Sequence, residues 1–279
     1  MIAVIRGEWL KLRTTAVPWV LTGIAFIVTA LFVLTIFLTR NNSPDAGSGG
    51  GFGGGSSSSS SGGGAVFGNS GYLIPHTTQQ LRNLIGSGLP CYILALLLGT
   101  LMVTTEFRHK TVTTSFLVTP RRPVLVAGKL LSAALIGAAL ALVLVAVTLL
   151  GGGLTLVARG GSFSALARQL PAVVPGMVLV FALFAVLGVG VGSILTNQVA
   201  AIIVVLGWFL ILENILVGLV HSANRWVPTG AASAAASVTR GRAMSFGLFS
   251  WWEGALLMLG YGLIFAAIGS FILTRRDIT

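Results

Sequence analysis

Between Glu106 and Lys129 the chain gathers one acid, one histidine and five cations: Glu106, His109, Arg108, Lys110, Arg121, Arg122 and Lys129. Such a cluster could ligate a metal, exchange protons or hold an anionic partner. Metal and nucleophile chemistry need ligands at fixed, close spacing. His76, His109 and His221 are instead scattered, and no HExxH or GxSxG pattern occurs. Phosphate chemistry needs glycine-rich backbone amides followed by Lys and Ser or Thr. The one Gly-Lys pair, Gly128–Lys129, is followed by Leu130 and lacks the upstream glycine. The chain therefore shows no ATPase motif, catalytic set or cofactor site of its own. What remains for the cluster is docking, on a partner or on the anionic inner leaflet.

The elements that must position this cluster are apolar. The chain is 55% hydrophobic and 8% charged, with a mean hydropathy of +0.96. That is too apolar for a soluble domain, and one apolar run of ~20 residues already crosses a bilayer. Six such runs lie near 16–38, 86–104, 130–150, 171–195, 199–220 and 251–273. They predict an all-α polytopic membrane protein, with residues 1–279 as a single transmembrane domain. The first run is too long for a signal peptide and ends without a small-x-small cleavage site, which predicts an uncleaved helix. The net charge of +11 sits beside apolar segments and not in a basic stripe interleaved with aromatics. Nucleic acid is therefore excluded as a partner, and the lipid bilayer accounts for the charge. Cys91 is the lone cysteine, at the edge of an apolar run, and reads as a small packed hydrophobe.

Orientation follows from the cations. With the N-terminus in the cytoplasm, the inner segments hold ten of them: Arg6, Lys11, Arg13, Arg108, Lys110, Arg121, Arg122, Lys129, Arg275 and Arg276. The outer segments hold seven, spread over about twice the length. That density difference obeys the positive-inside rule and places both termini in the cytoplasm. Ahead of the first span, Ile2, Ile5, Trp9 and Leu12 share one helical face, which predicts an interfacial helix over 1–15. The outer connection 39–85 contains a run, Gly47–Gly64, that only Phe52 interrupts with anything but Gly and Ser. Such a composition predicts a passive flexible coil.

The charged connection, 105–122, is the one long cytoplasmic connection. Thr105 is placed to cap a short helix opening at Glu106 and closed by TPRRP after Val118. Arg108, His109 and Lys110 would then lie in its first turns, where the helix dipole does not favour them. On the outer side, 221–249 is long enough for a helical hairpin before the last span. Glu213 lies near the outer end of the fifth span, where an ionisable group is expensive. Arg225 is its nearest expected ion-pair partner, with Arg240 and Arg242 as alternatives, and substrate contact is the other reading. Gly188 and Gly192 form a small-xxx-small pair suited to close helix packing.

The segment EFRHKTVTTSFLVTPRRPVLVAGKLLSAAL resembles the signature of type-two ABC transporter permeases, and EWLKLRTTAVPW is similar to actinobacterial members of that family. The likeness implies six spans, an N-terminal interfacial helix, a cytoplasmic coupling helix and the outer hairpin. It implies that Glu106, Phe107, Arg108, His109 and Lys110, with Arg121 and Arg122 beside them, contact a separate ATP-binding ABC subunit. It also implies a second permease subunit, identical or homologous. ATP and Mg would be bound on the partner ATPase. The Gly/Ser-rich outer connection is no part of the family pattern.

These readings converge on the permease subunit of an ATP-driven exporter in the plasma membrane, moving an amphipathic drug-like, peptide or lipid substrate outward. A secondary transporter would need mid-membrane ionisable groups or broken helices in corresponding halves. A membrane hydrolase would need an acid, base or metal set. A non-transporting anchor or sensor is the remaining alternative.

Overall fold

The computed structural model describes residues 16–41, 78–109, 122–158, 160–195, 197–238 and 249–275. Among these, 91% are helical and none is in a strand, so the chain is all-α. Long apolar runs have little alternative, because backbone groups in hydrocarbon must be satisfied within their own segment. The α-helices are α1 (Ala16–Asn41), α2 (Thr78–Ile85), α3 (Tyr92–Arg108), α4 (Arg122–Ala158), α5 (Phe163–Ala167), α6 (Leu170–Ile194), α7 (Gln198–Gly207), α8 (Glu213–Leu219), α9 (Pro228–Ala235) and α10 (Trp251–Arg275). A 3-10 turn over Gly86–Cys91 joins α2 to α3, and a π-helical turn over Trp208–Leu212 joins α7 to α8.

Five helical stretches are long and apolar enough to cross a bilayer: Thr78–Arg108, Val126–Ala158, Leu170–Ile194, Gln198–Leu219 and Trp251–Gly269. This is the character of a multi-pass membrane protein. The apolar stretch described within α1, Pro18–Leu34, is shorter. The expected interfacial residues Ile2, Ile5, Trp9 and Leu12, and the Gly/Ser-rich run, lie outside the described residues.

Two expected boundaries change. Residues 78–85 are helical and packed, where the sequence suggested the end of an outer connection. Leu81 and Ile85 recur at a four-residue interval and are both buried, while the Arg82 Nε donates to the Gln169 Oε1 at 3.0 Å. The third span is also longer than 130–150. At 37 residues α4 runs about 55 Å, well beyond the ~30 Å hydrocarbon core. Three consecutive glycines near its end do not break it, because neighbours fill the space they leave. A Cβ on Gly151, Gly152 or Gly153 would come within 3.0, 3.1 or 3.0 Å of Val33, Leu84 or Phe163 side chains.

The bundle is organised around α6, which packs against α3, α4 and α10. Pro171 opens α6 where no intrahelical N–H is needed. Its Val173, Met177, Val180, Phe181 and Phe184 are buried in the core. Gly188 abuts the Leu96 carbonyl of α3 and Gly192 abuts Thr100, so the small-xxx-small pair is the seam between the two helices. The α7–α8 stretch is the opposite case. Val199, Ile203, Ile211, Ile215 and Leu219 are exposed along it, an apolar surface that lipid would cover.

Candidate functional site

Among the described residues two carboxylates are buried, Glu106 on α3 and Glu213 on α8. The first, Glu106, is within the last turn of its helix. The sequence suggested a new helix opening at Glu106 under a Thr105 cap; instead α3 continues through Glu106 to Arg108. The Thr105 hydroxyl donates to the Leu101 carbonyl of its own helix at 2.6 Å. The His109 N–H donates to the Thr105 carbonyl at 2.9 Å, which closes the last turn. The physical reason is packing. Leu101, Met102 and Val103 are buried just before this turn, and the Lys129 ammonium donates to the Glu106 carboxylate at 2.5 Å.

That ion pair comes from two helices, the end of α3 and the second turn of α4, and its side chains are only 6% and 4% exposed. Desolvating two charges is tolerated only when each neutralises the other at close range. The pair fastens together both ends of the connection that holds the cationic cluster. Glu106 is consequently inside the bundle and not on a docking face. Phe107 is half-buried against the core, while Arg108 and His109 are exposed. They lie at the C-terminal end of a helix, where its dipole favours cations, the reverse of the placement expected. The Arg108 Nη1 also donates to the Gln198 Oε1 at 3.1 Å. Gln198 opens α7 under an Asn197 cap, whose side chain accepts from the Val199 and Ala200 N–H groups. Lys110 and Arg121 lie outside the described residues. Arg122 begins α4, and of its side chain nothing is described.

The second carboxylate is Glu213, 3% exposed, at the start of α8. The expected partner does not meet it. Its Oε1 accepts from the Thr229 N–H at 3.0 Å and from the Thr229 hydroxyl. Arg225 is exposed and stands over the Phe249 ring, 5.8 Å from its centroid. The reason is geometric: α9 starts at Pro228, so the Thr229 N–H, in the first turn and without an intrahelical acceptor, faces the acid. Arg240 and Arg242 lie outside the described residues. The hairpin expected over 221–249 is described only through a 3-10 turn, His221–Arg225, and α9.

Aromatic rings neighbour this acid. Tyr92 stacks on Phe184 at 4.3 Å between centroids, and Phe209 meets the two rings edge-on at 6.1 and 5.6 Å. The carboxylate's field reaches the Tyr92 and Tyr261 phenols. Sequence reading missed Lys129 and Thr229 as partners. Lys129 did carry a signal, a cation set inside the apolar run VLVAGKLL. Thr229 carried none, since nothing local distinguishes it from other threonines. Cys91 is buried, with its Sγ 3.6 Å from the Thr29 hydroxyl oxygen. Among the described residues no three His, Cys, Asp or Glu side chains gather as a metal site. No family profile matches the chain, and no curated protein matches its sequence.

Proposed function

We propose that the chain is the membrane-spanning permease subunit of an ATP-driven ABC exporter that moves an amphipathic substrate outward. In this reading six helices cross the plasma membrane, α1 included, with both termini in the cytoplasm. A separate subunit binds ATP and Mg, and a second permease chain, identical or homologous, completes the pathway. The observation that carries the reading is the clamp at the charged connection. The Glu106–Lys129 pair holds α3 and α4 together at 2.5 Å, while Arg108 and His109, just beyond it, stay exposed. A docking segment must transmit force to the helices that bear it, and a buried ion pair at its root supplies a stiff attachment. The docking face is therefore Arg108, His109, Lys110, Arg121 and Arg122, with Glu106 acting behind it and Phe107 packed at its edge.

The test uses the full chain purified from its own membranes. A co-purifying polypeptide carrying a P-loop, with vanadate-sensitive ATP hydrolysis in nanodiscs, is the expected result. Arg108→Glu should abolish the association while leaving the chain folded. Intact association and hydrolysis in that variant would overturn the docking face.

A further inference from the structure

Glu213 is buried yet only half satisfied. Thr229 supplies both of the donors that its Oε1 receives, and its Oε2 has no hydrogen-bond partner among the described residues. A bare carboxylate oxygen in an apolar interior is costly until a cation or donor meets it. The described cations near either carboxylate are committed elsewhere: Lys129 to Glu106, Arg225 to the Phe249 ring. A second unpartnered buried atom, the Asn224 Nδ2, belongs to a residue whose backbone abuts Gly230, next in the chain to Thr229. The turn leading into Glu213 is π-helical, Trp208–Leu212, a rare geometry frequent at functional sites. Phe209 of that turn belongs to the Tyr92–Phe184 ring cluster.

We propose that Glu213 and the Tyr92, Phe184 and Phe209 rings form an occluded site for an amphipathic organic cation, a single positive charge carried on an aromatic or otherwise apolar body. The carboxylate neutralises the charge, and ring faces attract a cation while covering its apolar part. A metal ion is the wrong ligand, because no second or third acid gathers beside Glu213 among the described residues. Glu213 is only 3% exposed, so the site is closed to solvent in this conformation. The assignment gives the exporter's cargo its charge and rests on that reading for its role in transport.

Binding is measured on the full chain in nanodiscs without any ATPase, so the site and the ATPase association can fail separately. The probes are tetraphenylphosphonium and tetraphenylborate, a cation and an anion of the same shape. Saturable phosphonium binding is expected, weakened about tenfold by Glu213→Gln, the equivalent of ~1.4 kcal/mol. Glu213→Asp should retain most of it, and Phe209→Ala should weaken it about threefold, in the range of one ring's cation–π contribution. These two variants decide the matter should the Gln variant fail to fold. No saturable phosphonium binding, equal binding in wild type and Glu213→Gln, or equal affinity for tetraphenylborate would each overturn the site.

Discussion

Glu106 and Glu213 are both buried acids of membrane-length helices, and Tyr92, within the field of one, lies fourteen residues before the other on α3. That separation is about 21 Å along a helix. At one end the acid has a full countercharge, Lys129, at 2.5 Å. At the other it has two neutral donors from one threonine and an oxygen left bare. The first arrangement fastens two helices together and leaves nothing to bind. The second leaves one carboxylate oxygen unpartnered, on the helix that continues the turn bearing Phe209. Burial alone does not tell structure from function; the state of the partner does.

The contrast is broken most directly at Glu106. Removing one member of a buried pair strands the other charge, at about 3–5 kcal/mol. Lys129→Met and Glu106→Leu should each lower thermal stability sharply, and the double variant should recover most of the loss, read by thermal unfolding in nanodiscs. Strictly additive losses would mean that the two side chains do not act as a pair. Next in size is Thr229→Val, which removes the hydroxyl donor to a buried carboxylate. A loss of ~1–3 kcal/mol is expected, measured in the same assay. Glu213→Gln should cost less than Thr229→Val, since the amide oxygen still accepts from Thr229 and the bare charge is gone. A loss as large as that of Lys129→Met would erase the distinction between the two acids. The smallest effect belongs to Arg225→Gln. With its guanidinium over Phe249 and not on Glu213, it should show a coupling to Glu213→Gln near zero in a double-mutant cycle. A coupling above about 1 kcal/mol would restore the ion pair that the sequence suggested.

Much of the architecture was legible without a structure, and Gly188 and Gly192 show why. Their four-residue spacing in an apolar run puts both on one helix face, so a close helix contact follows wherever that face turns inward. The α6–α3 seam is that contact. Residues 78–85 were less legible. Their polar letters resemble a loop, and only the burial of Leu81 and Ile85 with the Arg82–Gln169 hydrogen bond gives that short helix somewhere to pack.

By itself, the sequence determined the all-α class and the apolar stretches of membrane length. These rest on local composition and spacing, and lipid leaves an apolar backbone few options besides helix. Tertiary structure decided the rest: that α3 runs on past Thr105, that Glu106 faces Lys129, and that Glu213 meets Thr229 before Arg225. Each depends on which helices come side by side. Opposite charges attract at any sequence separation, and a buried carboxylate takes whichever donor the packed backbone brings nearest. No local pattern encodes that distance.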